Sequence, residues 1–263
     1  MEKSYPSISK PCIWVTRPEP HASAHAEMLE ARGLGATISP VLKIEPLPLP
    51  ATVPIHFTIC DALLVSSQNA LTHLPEKWIK QFQSWPLFVS GQATHDLALE
   101  LGFSNVSAST GNGSRGMLEL IKASFNEGKI AAQAKLLYLA GTLRTPFLEA
   151  SMPDNISIVV AEVYNTKFTS GIAADTLAAI DNEQVVATTL FSSRSAMHTA
   201  TLLQRLPKMQ AEKSQQTILA VCISQSVEKV AREQGFLKTC ISDSESSESV
   251  IDKLVDQLKN HYI

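Results

Sequence analysis

Asp61-Ala-Leu-Leu-Val-Ser-Ser-Gln-Asn-Ala70 joins a short apolar run to two serines and two amide side chains. The run is continuous rather than alternating, which is typical of a parallel strand that is buried on both faces. A serine directly after such a strand is typical of the N-cap of the next helix. The stretch therefore predicts a strand-to-helix turn of a parallel α/β sheet.

The same pattern returns as Phe191-Ser-Ser-Arg-Ser-Ala196. A second pair of turns repeats at a similar offset: Gly91-Gln-Ala-Thr94 leads to Leu101-Gly-Phe103, and Ser224-Gln-Ser-Val227 leads to Gln234-Gly-Phe236. Helical patterns alone are common to all parallel α/β units, so they do not establish a duplication. The shared Ser-Ser-x-x-Ala favours two lobes that are copies of one fold.

Apolar runs and helical patterns alternate along most of the chain. The predicted strands are Cys12–Thr16, Thr37–Leu42, Ala62–Ser66, Leu87–Ser90, Asn105–Ala108, Leu136–Ala140, Ile156–Val163, Val185–Phe191, Ile218–Ile223 and Lys238–Ile241. Pro18 is predicted to open the first helix and Gly33 to end it. Strand–helix–strand order implies right-handed crossovers, so the sequence predicts an α/β protein with doubly wound, flavodoxin-like parallel sheets.

Two extended segments interrupt this alternation. Glu45-Pro-Leu-Pro-Leu-Pro50 cannot be helical and makes a poor central strand. Tyr164–Ser170 follows an unusually long β run. We therefore expect residues 44–49 and 163–169 to be a two-stranded connector between a discontinuous lobe, residues 10–43 plus 170–263, and an inserted lobe, residues 50–162.

Composition narrows the class of protein. The 263 residues are 44% apolar and 18% charged, with a formal net charge of −3. Lys and Arg are scattered, so we expect no nucleic-acid partner. Residues 1–10 lack the apolar core of a signal peptide, and no apolar run approaches the ~20 residues that span a bilayer, so we expect no membrane association. The cysteines form no C-x-x-C pair, and we expect buried free thiols in a cytoplasmic protein; they are Cys12, Cys60, Cys222 and Cys240.

Small polar residues follow most of the predicted strands. In open parallel sheets ligands bind at the carboxyl ends of the strands. Any one of these turns is explained by N-capping. Taken together, and lining one cleft between the lobes, they favour an anion site, because helix N-termini offer free N–H groups and a partial positive charge. The turns are Thr16-Arg17, Ser66-Ser67-Gln68-Asn69, Gly91-Gln92-Ala93-Thr94, Gly141-Thr142, Ser192-Ser193-Arg194-Ser195 and Ser224-Gln225-Ser226.

Two further motifs are interpreted as structural. Gly111-Asn-Gly-Ser-Arg-Gly116 fits G-x-G-x-x-G, but the next predicted strand ends without the acidic residue that a dinucleotide site needs, so a flexible loop is expected. His21 and His25 have a spacing that could hold a metal. No third ligand lies near them, so we expect a solvated helix face and no metal site.

Tyr164 follows Val159-Val-Ala-Glu-Val163 at the expected junction of the lobes. Two interpretations stand beside each other: an amphipathic tyrosine that closes a strand, or a phenol in the cleft that donates a proton or a hydrogen bond.

In order and spacing these motifs resemble the uroporphyrinogen-III synthase family. The resemblance begins at Ile13-Trp-Val-Thr-Arg-Pro18 and Leu34-Gly-Ala36, and continues through Pro40-Val-Leu-Lys-Ile-Glu-Pro46. It includes Asp61–Ala70, Gly91–Thr94, Val163-Tyr164, Phe191–Ala196 and the Ser224 turn, and so covers nearly the whole chain after residue 10.

The resemblance implies two similar α/β lobes and the conversion of hydroxymethylbilane to uroporphyrinogen III, a cyclising hydro-lyase reaction without metal or organic cofactor. It implies that Tyr164 assists departure of the hydroxyl group. The preceding bilane-forming enzyme is expected as a further partner. We expect a monomer, because no apolar surface stripe stands out in the sequence. The residues expected to bind substrate are Thr16, Arg17, Ser66, Ser67, Asn69, Gly91, Gln92, Thr94, Gly141, Arg144, Ser192, Ser193, Ser195, Ser224 and Ser226.

The sequence departs from the family's pattern at two of these places. Ser224-Gln-Ser-Val227 stands where the family usually has Gly-x-x-Thr, so Ser226 would supply the hydroxyl one position earlier. Arg144 is shifted by one from the family's arginine. The alternative function is a non-catalytic two-lobed binding module for a tetrapyrrole or another small polyanion.

Overall fold

The structure is a computed structural model that describes residues 10–110 and 113–262. It divides into two compact units. The first unit runs to Lys43 and resumes at Lys167, and the second runs from Ile44 to Thr166. The first unit is therefore made from two separate segments of the chain.

The strands are short and the helices alternate with them. The strands are β1 (Cys12–Val15), β2 (Gly35–Ile38), β3 (Leu42–Pro46), β4 (Ala62–Val65), β5 (Leu87–Ser90), β6 (Val106–Ser109), β7 (Lys135–Gly141), β8 (Ser157–Phe168), β9 (Val185–Leu190), β10 (Leu219–Cys222) and β11 (Thr239–Ile241). The helices are α1 (His21–Ala31), α2 (Gln68–Thr72), α3 (Glu76–Phe82), α4 (Gln92–Glu100), α5 (Gly113–Asn126), α6 (Phe147–Ser151), α7 (Ala174–Asp181), α8 (Ser193–Gln204), α9 (Lys208–Thr217), α10 (Gln225–Glu233) and α11 (Ser247–Tyr262).

Each unit contains a parallel sheet. The first unit has the strand order β2-β1-β9-β10-β11, and the second has β8-β7-β4-β5-β6 with β3 added beside β8. Read from β9, the first sheet has the same order as the second, because β9, β10, β11, β1 and β2 correspond to β4, β5, β6, β7 and β8. The prediction of an α/β fold with two similar doubly wound parallel sheets is confirmed.

Both sheets are covered on both faces. In β1, Trp14 faces the cluster under α7, α8 and α10, whereas Ile13 and Val15 face the cluster under α1 and α11. In β4, Leu63 and Leu64 likewise separate into clusters on opposite faces. Successive side chains of a strand point to opposite faces, so a strand buried on both sides must be apolar at every position. This explains the continuous apolar runs.

The connector is a pair of extended segments. Leu47 N donates to Val163 O over 3.2 Å, and Thr169 N donates to Val41 O over 3.1 Å. From one of these hydrogen bonds to the other, the residue number rises along one segment and falls along the other, so the two segments are antiparallel. The unit boundaries, after Lys43 and after Thr166, fall within these segments. The predicted strand ending at Val163 is in fact one continuous strand to Phe168.

Two local predictions were wrong. The first helix begins at His21 rather than Pro18, with Pro20 as its N-cap residue, and Ser23 N donates to the side-chain Oε2 of Glu19 over 3.1 Å. The strand predicted as Thr37–Leu42 is two strands, β2 and β3. It breaks because Pro40 has no N–H, and Ser39 and Val41 donate instead to the end of β1, at Val15 O and Thr16 O.

The four cysteines are free, with Cys60 and Cys222 buried and Cys12 and Cys240 partly exposed. Among residues 10–110 and 113–262, no helix combines the length and the apolarity that crossing a bilayer requires.

Candidate functional site

The carboxyl ends of each unit's strands meet at one edge of its sheet. Ligands of doubly wound sheets bind at this edge, where the direction of strand order reverses. In the second unit the reversal lies between β4 and β7, and in the first unit it lies between β9 and β1.

At the β4/β7 reversal, Ser66 meets a tyrosine. The hydroxyl oxygens of Ser66 and Tyr138 lie 2.6 Å apart. Tyr138 belongs to β7 and is only 3% exposed, and burial raises the pKa of its phenol. No sequence signal indicates a role for Tyr138, because a tyrosine inside an apolar run shows nothing of where its hydroxyl reaches.

Ser67, next to it, caps a helix. Its Oγ accepts a hydrogen bond from Asn69 N over 3.3 Å, at the start of α2. Gln68 donates from Nε2 to Ala93 O over 2.8 Å, which ties this turn to the one after β5. In that second turn Gly91 has φ of 78°, Gln92 donates to Asp96 Oδ1 over 2.6 Å, and Thr94 is buried. The turns after β4 and β5 are therefore held together.

Tyr164 lies against Gly141, the last residue of β7. A Cβ atom at residue 141 would lie 2.6 Å from Tyr164 Cζ and 2.9 Å from its hydroxyl oxygen. Thr142 N donates to Tyr164 O over 3.0 Å, and Thr142 Oγ1 donates to Asn165 Oδ1 over 2.6 Å. The absence of a side chain at Gly141 is thus what allows the phenol to lie over the end of β7.

Arg144 is bound within the second unit. Its Nε donates to Glu149 Oε1 and its Nη1 to Glu162 Oε1, both over 2.8 Å, and Nη1 also reaches Gly141 O at 3.1 Å. The hydrogen bonds to Glu162 and Glu149 raise the pKa of the guanidinium. Because two carboxylates and a backbone carbonyl already bind its guanidinium, Arg144 stabilises the loop after β7.

Arg17 is the cation at the β9/β1 reversal of the first unit. Its guanidinium carbon lies 4.1 Å from the centroid of the Phe191 ring, and Nη1 donates to Ser247 Oγ over 2.7 Å. Burial lowers the pKa of Arg17, and the charge of Glu248 opposes this. Thr16, immediately before it, is fully buried and donates from Oγ1 to Thr189 O over 2.8 Å. The Thr16 hydrogen bond therefore links β1 to β9, and Arg17 follows it at the carboxyl edge of the sheet.

His25 contradicts the prediction of a solvated helix face. It is 1% exposed, its two ring nitrogens have no hydrogen-bond partner, and its ring makes an edge contact with Phe191 at 5.1 Å between centroids. Burial and the nearby Arg17 charge lower its pKa to about 4. It occupies the core side of α1 with Ala22, Ala26 and Leu29. Its spacing from Ala22 and Leu29 matches the helical repeat, and this spacing is the sequence signal that could have predicted its burial.

The serines after β9 form a capping box. Ser192 Oγ accepts from Ser195 N over 3.1 Å, and Ser195 Oγ accepts from Ser192 N over 3.1 Å. Ser193 begins α8. After β10, Ser224 and Ser226 place their hydroxyl oxygens 3.0 Å apart, and Ser224 makes no side-chain cap. At Ser192 and Ser195, therefore, the capping interpretation describes the observed contacts.

Gly111 and Asn112 lie outside the described residues, whereas Gly113–Gly116 open α5 instead of forming the predicted loop. Within the described parts of the chain, no group of three or more His, Cys, Asp or Glu residues is arranged to hold a metal.

A protein-family model described as uroporphyrinogen-III synthase HemD matches residues 23–252. The chain belongs to this family. The comparison with curated protein sequences found no match.

Two solved structures of uroporphyrinogen III synthase are similar to this chain at low sequence identity. A mutant uroporphyrinogen III synthase from the extreme thermophile Thermus thermophilus is 14% identical, with 95% of this chain and 99% of that chain covered and a TM-score of 0.60. The wild-type Thermus thermophilus enzyme in another crystal form is 13% identical, with 96% and 99% covered and a TM-score of 0.48. The first of these likenesses supports the α/β fold described above.

Proposed function

We propose that this member of the uroporphyrinogen-III synthase family cyclises hydroxymethylbilane to uroporphyrinogen III and releases water, as a cyclising hydro-lyase. Membership of the family supports the reaction. The observation that supports a role for particular residues is the position of the Tyr164 phenol. It lies at the carboxyl edge of the second sheet, against Gly141, which has no side chain.

The proposed reaction begins with loss of the hydroxyl group. The phenol of Tyr164 gives its proton to the hydroxyl oxygen as the carbon–oxygen bond breaks, and water leaves from an azafulvene-type cation. Ring D attacks this cation through its substituted carbon, and the spiro intermediate fragments and recloses with ring D inverted. The proton lost when ring D regains its aromaticity replaces the one given by the phenol, so water is the second product.

Binding accounts for most of the rate and selectivity in this proposal. Left alone, the bilane also closes, but to the uninverted isomer I. The protein must therefore hold a flexible chain with eight carboxylates in one conformation, which is a positional and entropic task. The proposed donors are the polar turns described above and Arg17. Arg144 is proposed to act indirectly, because its guanidinium is occupied by Glu149 and Glu162.

We further propose that the protein acts as a cytoplasmic monomer without a cofactor, on bilane supplied by the bilane-forming enzyme. The second candidate, a binding module without turnover, predicts the same anion-binding edges but no change in the isomer that forms.

A coupled assay tests the proposal. Hydroxymethylbilane is generated in place, the purified protein is added, and the porphyrins are separated by isomer after oxidation. Predominantly isomer III supports the synthase. Isomer I alone, from protein shown to be folded by its cooperative thermal unfolding, overturns it in favour of the binding module.

A further inference from the structure

Two equivalent serines of the duplicated turns have different partners. Ser192, after β9, is the N-cap of α8 and shares a capping box with Ser195. Ser66 holds the equivalent place after β4, yet the N-cap of α2 is the next residue, Ser67. The Ser66 hydroxyl is therefore not used for capping. It meets Tyr138 instead, at an oxygen–oxygen distance of 2.6 Å.

The chemistry of the pair sets the direction of its hydrogen bond. A phenol is more acidic than an aliphatic hydroxyl and is the better donor. Burial raises the pKa of Tyr138, so its hydroxyl keeps the proton through the neutral range. Tyr138 then donates to Ser66 Oγ, and the distance lies at the short end for a hydrogen bond between neutral hydroxyls.

Because Ser66 Oγ accepts the hydrogen bond from Tyr138, the hydroxyl proton of Ser66 remains available for another acceptor. The Tyr138 ring is fixed because it packs in the apolar cluster with Leu64, Phe88 and Ala140, so the hydroxyl that holds Ser66 has little freedom. Ser66 itself is partly exposed and lies at the β4/β7 reversal of the sheet. Its remaining proton is directed away from Tyr138, at the edge where ligands of such sheets bind.

We propose that Tyr138 is a positioning residue that fixes Ser66 as a hydrogen-bond donor to a carboxylate of the substrate. Tyr138 acts through Ser66 and does not touch the substrate. The inference rests on the proposed function, since it names the ligand group as a carboxylate of the bilane.

The test is a double-mutant cycle on equilibrium binding. Uroporphyrin III, an octacarboxylate of the same size as the proposed product, serves as the probe through quenching of its fluorescence. Tyr138→Phe and Ser66→Ala are each expected to weaken binding about fivefold, as for loss of one neutral hydrogen bond. The double variant is expected to bind as Ser66→Ala does, because Tyr138 has no effect without Ser66. Wild-type binding by Tyr138→Phe, or multiplying losses in the double variant, overturns the proposal.

The matched control is Ser67→Ala, which removes the neighbouring hydroxyl that caps α2. Its effect is expected to multiply with that of Tyr138→Phe, since the two do not share a partner. Coupling of Tyr138 to Ser67 as strong as its coupling to Ser66 would show a general loosening of the turn and overturn the positioning role.

Two further measurements keep the outcome clear. If Tyr138→Phe does not fold, 3-fluorotyrosine at residue 138 keeps the ring and gives a more acidic hydroxyl. It is expected to tighten probe binding below pH 7, and unchanged binding counts against the proposal.

The wild-type isomer assay is run separately. Isomer I alone counts against the proposed function, whereas independent effects of Tyr138 and Ser66 on probe binding count against the positioning role.

Discussion

Gly141 lies directly against the phenol ring of Tyr164, and no side chain fits between them. A methyl group at residue 141 would come within 2.6 Å of the ring. The backbone at residue 141 is not in the left-handed region, so alanine is allowed there by its dihedral angles and is opposed only by the ring.

Gly141→Ala is therefore expected to displace Tyr164 while the fold persists. We expect the rate of isomer III formation to fall by roughly 10- to 100-fold, since a displacement of about 1 Å at a reacting group can cost that much. Gly171→Ala is the control, because a Cβ at Gly171 meets no atom within 4 Å. Equal activity of the two variants would show that the position of the phenol is unimportant.

Tyr164→Phe removes the proposed proton donor and keeps the ring. A general acid contributes roughly 100- to 10,000-fold, and we expect the lower end because loss of water from the bilane is intrinsically easy. The expected change is in kcat, with KM unchanged, as measured by the coupled isomer assay. A rise in KM at constant kcat would instead assign the phenol to binding.

Arg17→Lys tests the cation at the edge of the first sheet. Lysine keeps the charge but loses the planar contact with Phe191 and the directed bond to Ser247. We expect KM to rise about tenfold, or ~1.4 kcal/mol of binding energy, with kcat little changed. Arg32→Lys, at an exposed ion pair with Asp252 in the same unit, is the control and is expected to behave as wild type.

His25 makes stability depend on pH. Its pKa is about 4 in the folded protein and 6.5 when exposed, so the unfolded chain binds the proton more readily. Stability from this residue is present above pH 6.5 and is lost as pH falls toward 4, by about 3 kcal/mol in all. Urea unfolding at pH 7.5, 6 and 4.5 measures the slope.

His25→Leu is expected to remove that slope. It should leave stability at pH 7.5 unchanged or higher, because two buried nitrogens without partners are replaced by apolar atoms. His56→Gln, at an exposed histidine, should keep the wild-type slope. A His25→Leu variant that loses stability in acid as steeply as wild type would assign the effect to other groups.

Ser192→Ala separates capping from binding in the first unit. We expect a loss of about 1 kcal/mol in the free energy of unfolding, as for removal of an N-cap. Ser193→Ala, one residue further, removes a hydroxyl outside the capping box and should leave stability unchanged. Chemical denaturation of the two variants checks the difference, and equal losses would contradict the assignment of the cap.

The fold was predictable because its signal is local. A strand covered on both faces must be apolar throughout, as Ala62–Val65 is, and Ser67, the second serine after it, caps the next helix. Position 40 shows where prediction of strands from the sequence fails. Pro40 lies inside an apolar run that reads as one strand, and only the bonds from Ser39 and Val41 to the end of β1 show that two strands meet there.

The site was predictable only where a residue's partner is near in sequence. The capping serines are of this kind. Tyr138 and Ser66 are 72 residues apart, and their contact depends on the register of β4 against β7. Arg144 was expected to bind substrate because of the resemblance to the family, and nothing in the sequence indicates that Glu162 would pair with it.

The divided origin of the first unit imposes an order on synthesis. Strand β1 lies between β2 and β9, so on one side it has no neighbour until residues 185–190 have left the ribosome. The second unit is contiguous and has all its parallel strands once residue 166 is made. A nascent chain halted there holds one complete sheet and an incomplete one, in which Ile13, Trp14 and Val15 lack their later cover. Such a chain exposes apolar surface that the finished protein covers, and transiently exposed surface of this kind is prone to aggregation.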